Sequence, residues 1–208
     1  VHFRDPGLTH KGDLYTESKS AIAGGVTSFI DMPNTVPNIL TVQSLREKYE
    51  IASKKSLANY AFFLGVNGDN IDEFIKMDTS QFIGVSDDGL YFTKKGNLLA
   101  DSPEKMEKLF ANCKSIIAIH SEKEEIVEEN EQAFRKEYGD NIPAKFHPII
   151  RSTKGCYEAT KRAIDLARKH NARLHILHLT TEAETHLFQN DIPLQEKKIT
   201  TEVSVHHL

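Results

Sequence analysis

Gly155-Cys156-Tyr157-Glu158-Ala159-Thr160-Lys161-Arg162-Ala163-Ile164-Asp165-Leu166-Ala167-Arg168-Lys169-His170 runs through a short break into Leu174-His175-Ile176-Leu177-His178. In the first run Ala159, Ala163, Ile164 and Ala167 recur at the spacing of one helix face. The second run is short and mostly apolar, has the length of a strand, and ends on a histidine. The same order occurs upstream. Asp101-Ser102-Pro103-Glu104 carries a cap, a first-turn proline and an early acid, which together mark a helix start. That helix reaches about Asn112 and feeds Ser115-Ile116-Ile117-Ala118-Ile119-His120, again closed by a histidine.

Working outward, Thr27 to Asp31 reads as a strand after the turn signal Gly24-Gly25, and Gln43 to Ser56 as a helix with Leu45, Tyr49 and Ala52 on one face. Tyr60 to Leu64 reads as a strand ended by Gly65, and Ile71 to Lys76 as a short helix. Phe82 to Val85 is a strand running into Ser86-Asp87-Asp88-Gly89. Glu122 to Tyr138 is densely charged, as a solvated helix face would be. Thr181 to Gln189 reads as a helix and Lys198 to Val203 as the last strand. With Val1-His2 as a strand end, this makes seven strands alternating with helices, the pattern of a parallel sheet. A closed eight-stranded (β/α)8 barrel lacking its last strand, one partial barrel domain over residues 1–208, fits this order better than an open doubly wound sheet. The Gly-x-Gly-x-x-Gly turn of a dinucleotide fold is absent.

Composition bounds the function. Of 208 residues, 39% are hydrophobic and 27% charged, with a net charge of −4, ordinary values for a globular chain. That balance gives no basic footprint for nucleic acid or a membrane surface, and no apolar run approaches the roughly 18 residues of a membrane span. Cys113 and Cys156 are the only cysteines. They are too few for a disulfide framework, fit a reducing cytoplasm, and read as small buried hydrophobes. The chain opens without Met and stops after Val203-Ser204-Val205-His206-His207-Leu208, which reads as a segment of a longer protein. His2, His120 and His178 all stand where apolar runs give way to polar loops. In a parallel barrel such positions meet at the C-terminal mouth, where the chemistry lies, and converging imidazoles suit a zinc-type metal.

Five segments carry a resemblance to dihydroorotases of the amidohydrolase superfamily. His2-Phe3-Arg4-Asp5-Pro6-Gly7 resembles the second half of their His-x-His-Phe-Arg-Glu-Pro-Gly signature, with Asp5 in place of Glu. Asp31-Met32-Pro33-Asn34-Thr35 resembles their Met-Pro-Asn-Thr segment, and Ile119-His120-Ser121-Glu122 their His-x-Glu segment. Leu174 to Thr181 resembles their His-x-x-His-x-Ser/Thr segment, and Thr201 to Leu208 their Glu-x-x-x-His-His-Leu segment.

The resemblance implies a distorted barrel with one or two zinc ions, reversible hydrolysis of dihydroorotate to N-carbamoyl-aspartate in pyrimidine synthesis, a cytoplasmic location and often a homodimer. It makes His2 a ligand of the more buried metal and His120 and His178 ligands of the second. Asp87, in preference to Asp88, takes the position that many relatives fill with a carboxylated lysine, unless Asp-Asp-Gly is only a turn. Arg4 and Asn34 would hold the substrate carboxylate, since a guanidinium grips one bidentately. The alternatives are an ion pair from Arg4 to Asp5 and a turn role for Asn34. The family's catalytic Asp, at the end of strand eight, has no counterpart here. His175 has opposite strand parity to His178 and should pack away from any metal. His206 and His207 take loop roles, and His10, His147, His170 and His186 carry no motif. Competing readings are another cyclic amidohydrolase (an allantoinase, or a hydantoinase/dihydropyrimidinase) and a catalytically silent scaffold for a partner such as a transcarbamoylase.

Overall fold

The computed structural model describes residues 1–79, 82–87 and 102–207. The chain divides into two compact units, Val1–Ala118 and Ile119–Leu208.

In the first unit, β1 (Ser28–Asp31) and β2 (Asn59–Phe62) pair in parallel, from Ser28 opposite Asn59 to Asp31 opposite Phe62. β3 (Leu64–Gly65) pairs in parallel with β4 (Gly84–Ser86), and β4 with β5 (Ile116–Ile119). The run predicted as one strand over Tyr60 to Leu64 is thus divided between two sheets at Phe63. Val1-His2 is not a strand. Even so, the Val1 amino group donates to Ile30 O and Met32 N donates to Val1 O, both at 3.0 Å, so the segment lies along β1.

Helix α1 (Leu14–Ala23), unforeseen in the sequence, begins at an Asp13/Thr16 capping box, and such reciprocal bonds satisfy the amides that a helix start leaves unpaired. Helix α2 (Val42–Lys55) buries Leu45, Lys48 and Ala52, while Tyr49, predicted inward, is exposed. α3 (Ile71–Phe74) and α4 (Pro103–Asn112) follow the sequence, the latter capped by Ser102 with Pro103 in its first turn. The core gathers Leu14, Phe62, Leu64, Phe74, Leu109 and Ile117, each 1% exposed or less.

In the second unit, α5 (Glu124–Tyr138) buries only Val127, the solvated helix its charge pattern predicts. A one-turn α6 (His147–Ile150) precedes α7 (Thr153–His170). The buried face of α7 is Cys156, Thr160, Ala163, Ile164 and Ala167, with Ala159 only half-buried. Asn171 ends α7 in the left-handed region at φ 54°, a conformation that asparagine tolerates. β6 (Arg173–Ile176) pairs in parallel with β7 (Ile199–Thr201), Leu174 opposite Ile199. Between them α8 (Glu182–Thr185) is a single turn, shorter than the predicted Thr181 to Gln189. Leu177 N donates to Ile119 O at 3.2 Å, which brings the end of β5 beside the chain leaving β6.

Candidate active site

In the first unit the segment Val1 to Gly7 is held by buried polar contacts. Phe3 N donates to Asp31 Oδ1 at 2.8 Å, and the other carboxylate oxygen of Asp31 receives Lys48 Nζ at 2.7 Å. Lys48 also reaches Met32 O at 3.1 Å and lies over the Phe62 ring at 4.7 Å. Burial lowers the Lys48 ammonium below its ordinary pKa, with the Asp31 carboxylate opposing. The Asp5 carboxylate takes Lys55 Nζ at 2.8 Å and Leu14 N at 3.4 Å, so that Asp5 pairs with Lys55 and not with its neighbour Arg4. Gly7, at φ 84°, lies so close to Val36 that a Cβ there would meet Val36 O at 1.9 Å. Only glycine fits that approach.

This frame sets His2 Nδ1 at 3.0 Å from Asn34 Oδ1. The amide oxygen accepts, so His2 donates from Nδ1 in this contact. Asn34 is buried with its oxygen spent on His2, which leaves its NH2 as the donor it can offer a ligand. Arg4 has φ 64°, a conformation costly for a side chain with a Cβ. Asp87 directly follows β4 and is 5% exposed. Asp88 and the lysines at 94 and 95 lie outside the described residues.

In the second unit His120 and His178 meet. Their Nδ1 and Nε2 atoms are 3.0 Å apart, with ring centroids at 4.7 Å. On the far side of its ring, His120 Nε2 is 2.8 Å from Glu122 Oε2, and Glu122 also pairs with Arg151. Burial pushes the Glu122 carboxyl up, but the His120 bond and the Arg151 charge outweigh it and hold the group below its ordinary value. A carboxylate accepting from Nε2–H fixes the tautomer and points the Nδ1 lone pair at His178, the way outer carboxylates orient metal-bound imidazoles. Tetrahedral ligands about 2.05 Å from zinc stand about 3.3 Å apart, close to the spacing of this pair. His178 takes φ 32°. Strained backbone of this kind persists where the surroundings over-determine it. Among the described residues, no group of three His, Cys, Asp or Glu side chains forms that could hold a metal ion. The two imidazole nitrogens of His120 and His178 are nonetheless of the type that zinc takes.

Other histidines follow the sequence reading. His175 bonds Thr200 Oγ1 at 2.9 Å and lies 3.5 Å from Glu202. His207 Nδ1 donates to Leu179 O at 3.2 Å, and His206 bonds Ser204. Two features went unforeseen: the inward Lys48, and a buried Glu184 at 2% exposure bonded to Thr160 and Thr181. The signals were a lysine in register with Leu45 and Ala52, and a threonine on the apolar face of α7.

No family model matches the chain. Along its whole length it is 30% identical to the dihydroorotase of Methanosarcina acetivorans and 28% to the allantoinase of Bacillus velezensis, spanning 45% and 46% of those proteins. The solved L-hydantoinase (dihydropyrimidinase) of Arthrobacter aurescens superposes on 90% of the chain with a TM-score of 0.78 and 25% identity, the match covering 42% of that structure. The chain is therefore similar along its whole length to cyclic amidohydrolases, and its parallel α/β fold is the partial-barrel class expected from its strand–helix alternation. Among these relatives it resembles the dihydroorotases, of which several match at 29–31% identity. It spans under half the length of these relatives.

Proposed function

We propose that the chain forms part of a zinc-dependent dihydroorotase, catalysing the reversible hydrolysis of dihydroorotate to N-carbamoyl-aspartate in pyrimidine synthesis. The observation that carries this reading is the His120–His178 pair, its outer nitrogen braced by Glu122, in a sequence that resembles dihydroorotases from end to end. His2, Asp87, His120 and His178 are the ligands in this reading. Bound zinc would polarise the ring carbonyl and bring the pKa of a water to about 7.

The chain's own residues supply binding and orientation. Glu122 sets the His120 tautomer, and Asn34 accepts from His2 Nδ1. Arg4 and the Asn34 amide receive the ring carboxylate as charge-assisted donors. The carboxylate that carries the proton to the leaving nitrogen is not assigned to any residue of this chain. In this reading the protein acts on a small-molecule substrate in the cytoplasm, and a homodimer is compatible with it. Separately, no described helix is long and apolar enough to cross a membrane.

Arg4 separates dihydroorotase from hydantoinase and allantoinase, whose rings carry no carboxylate in the same place. Loss of a desolvated charge pair costs about 2–5 kcal/mol, roughly 30-fold to several thousand-fold in kcat/KM. Arg4→Ala should depress dihydroorotate turnover by at least about tenfold and dihydrouracil turnover much less, with zinc content near wild type. Equal losses on both rings would mean that Arg4 braces the loop and does not read the substrate.

A further inference from the structure

Glu184 is buried at 2% exposure in a helix of one turn. Its Oε1 accepts from Thr160 Oγ1 at 2.5 Å and its Oε2 from Thr181 Oγ1 at 2.7 Å. Thr160, fully buried on α7, is also 2.8 Å from Ser121 Oγ. A hydroxyl has one proton. Thr160 gives its proton to the carboxylate, so Ser121 must donate to Thr160. The direction is therefore set: Ser121 to Thr160 to Glu184, with Thr181 donating from the other side.

Each end of this chain of bonds lies beside a candidate ligand. Ser121 follows His120 directly, and Thr181 lies three residues after His178. A carboxylate buried among hydroxyls is a costly way to fill a core, because an apolar side chain of similar volume would avoid the desolvation. Its return is directional: it fixes the loop after β5 and the loop after β6 to one anchor on α7. His178, held at φ 32°, needs such an external constraint.

We propose that Glu184 is a positioning residue that sets the His120–His178 spacing through Thr160 and Thr181, so that metal affinity depends on it. This rests on the reading that His120 and His178 hold the metal. The test is the dissociation constant for zinc ion, by competition with a chromophoric chelator, together with the melting temperature of the metal-free purified protein. Glu184→Leu and Thr160→Val should each weaken zinc binding by about 10- to 100-fold, the usual effect of removing an outer partner of a ligand. Glu184→Gln keeps one acceptor and one donor for the same two hydroxyls, and should stay within about threefold of wild type. His120→Ala and His178→Ala should lose zinc outright. If the two histidine variants lose zinc while Glu184→Leu and Thr160→Val bind it as wild type and only melt earlier, Glu184 is a packing residue and the proposal fails alone. If the histidine variants keep their zinc, the ligand assignment fails and takes the proposal with it. Should Glu184→Leu not fold, Thr160→Val, which exchanges a hydroxyl for a methyl, decides by the same criterion.

Discussion

Replacing Lys48 with Met should destabilise the first unit by about 3–5 kcal/mol, the usual cost of removing one partner from a buried ion pair. Both side chains are at most 1% exposed, and Nζ lies 2.7 Å from Asp31 Oδ2. At an effective dielectric of about 20, the attraction over that distance is about 6 kcal/mol before desolvation is charged against it. Methionine keeps the apolar stem against Phe62 but leaves the Asp31 carboxylate with only the Phe3 amide. Asp31→Asn on the Lys48→Met background removes the stranded charge while keeping an acceptor for Phe3 N, so the double variant should recover most of the loss. Urea unfolding read by circular dichroism gives each free energy, and the double-mutant cycle gives the coupling. A loss under about 1 kcal/mol for Lys48→Met, or a double variant no more stable than the single one, would refute the view that this pair carries the segment bearing His2 and Arg4.

Two further outcomes follow from burial and charge. The Glu202 carboxyl is held below its ordinary pKa of 4.5 by the His175 hydrogen bond, against opposing burial. Its contribution is therefore present above pH 4.5 and fades as pH falls through the lower folded value; the stability deficit of Glu202→Gln at pH 7 should close on acidification, and a deficit that persists at low pH would rule out a charge origin. The Cys156 thiol is pushed up to about 12 by burial, with the Glu184 and Glu122 charges adding, and Cys113 is likewise buried and raised. At pH 8 the Cys156 thiolate is about one part in ten thousand. Ellman's reagent should therefore leave the native protein unlabelled over minutes and titrate two thiols in denaturant; a rapid native burst of one thiol would contradict the packing.

Most of the barrel's order was legible because strand and helix periods differ and each strand is bounded by turn chemistry. The break at Phe63 was not, since Tyr60 to Leu64 is uniformly apolar and a change of sheet partner leaves no mark in such a run. Helix α1 escaped because it buries only Leu14 and Ser18, too little for an apolar stripe. Its start signal was Asp13 with Thr16, which lacks the acid that usually completes a capping box. Of the candidate-site histidines, His120 and His178 were legible by position, just beyond β5 and β6, whereas His2 lies on a segment that runs along β1 without being a strand. Their supports were not. Lys48, Thr160 and Glu184 are of types that usually face water, and only their register with buried neighbours gives them away. Whether Arg4 pairs with Asp5 could not be read from adjacency, because Asp5 is drawn to Lys55, fifty residues on.

The left-handed backbone at Arg4 and His178 sets a trap for anyone who improves this protein by heat selection. Glycine relaxes such a residue, worth about 1–2 kcal/mol at each, so a library screened for thermal survival alone should enrich Arg4→Gly and His178→Gly. Hardier clones would then emerge stripped of the groups proposed above to hold substrate and metal. At these two codons robustness and chemistry pull in opposite directions, and a screen on this scaffold has to score turnover alongside survival.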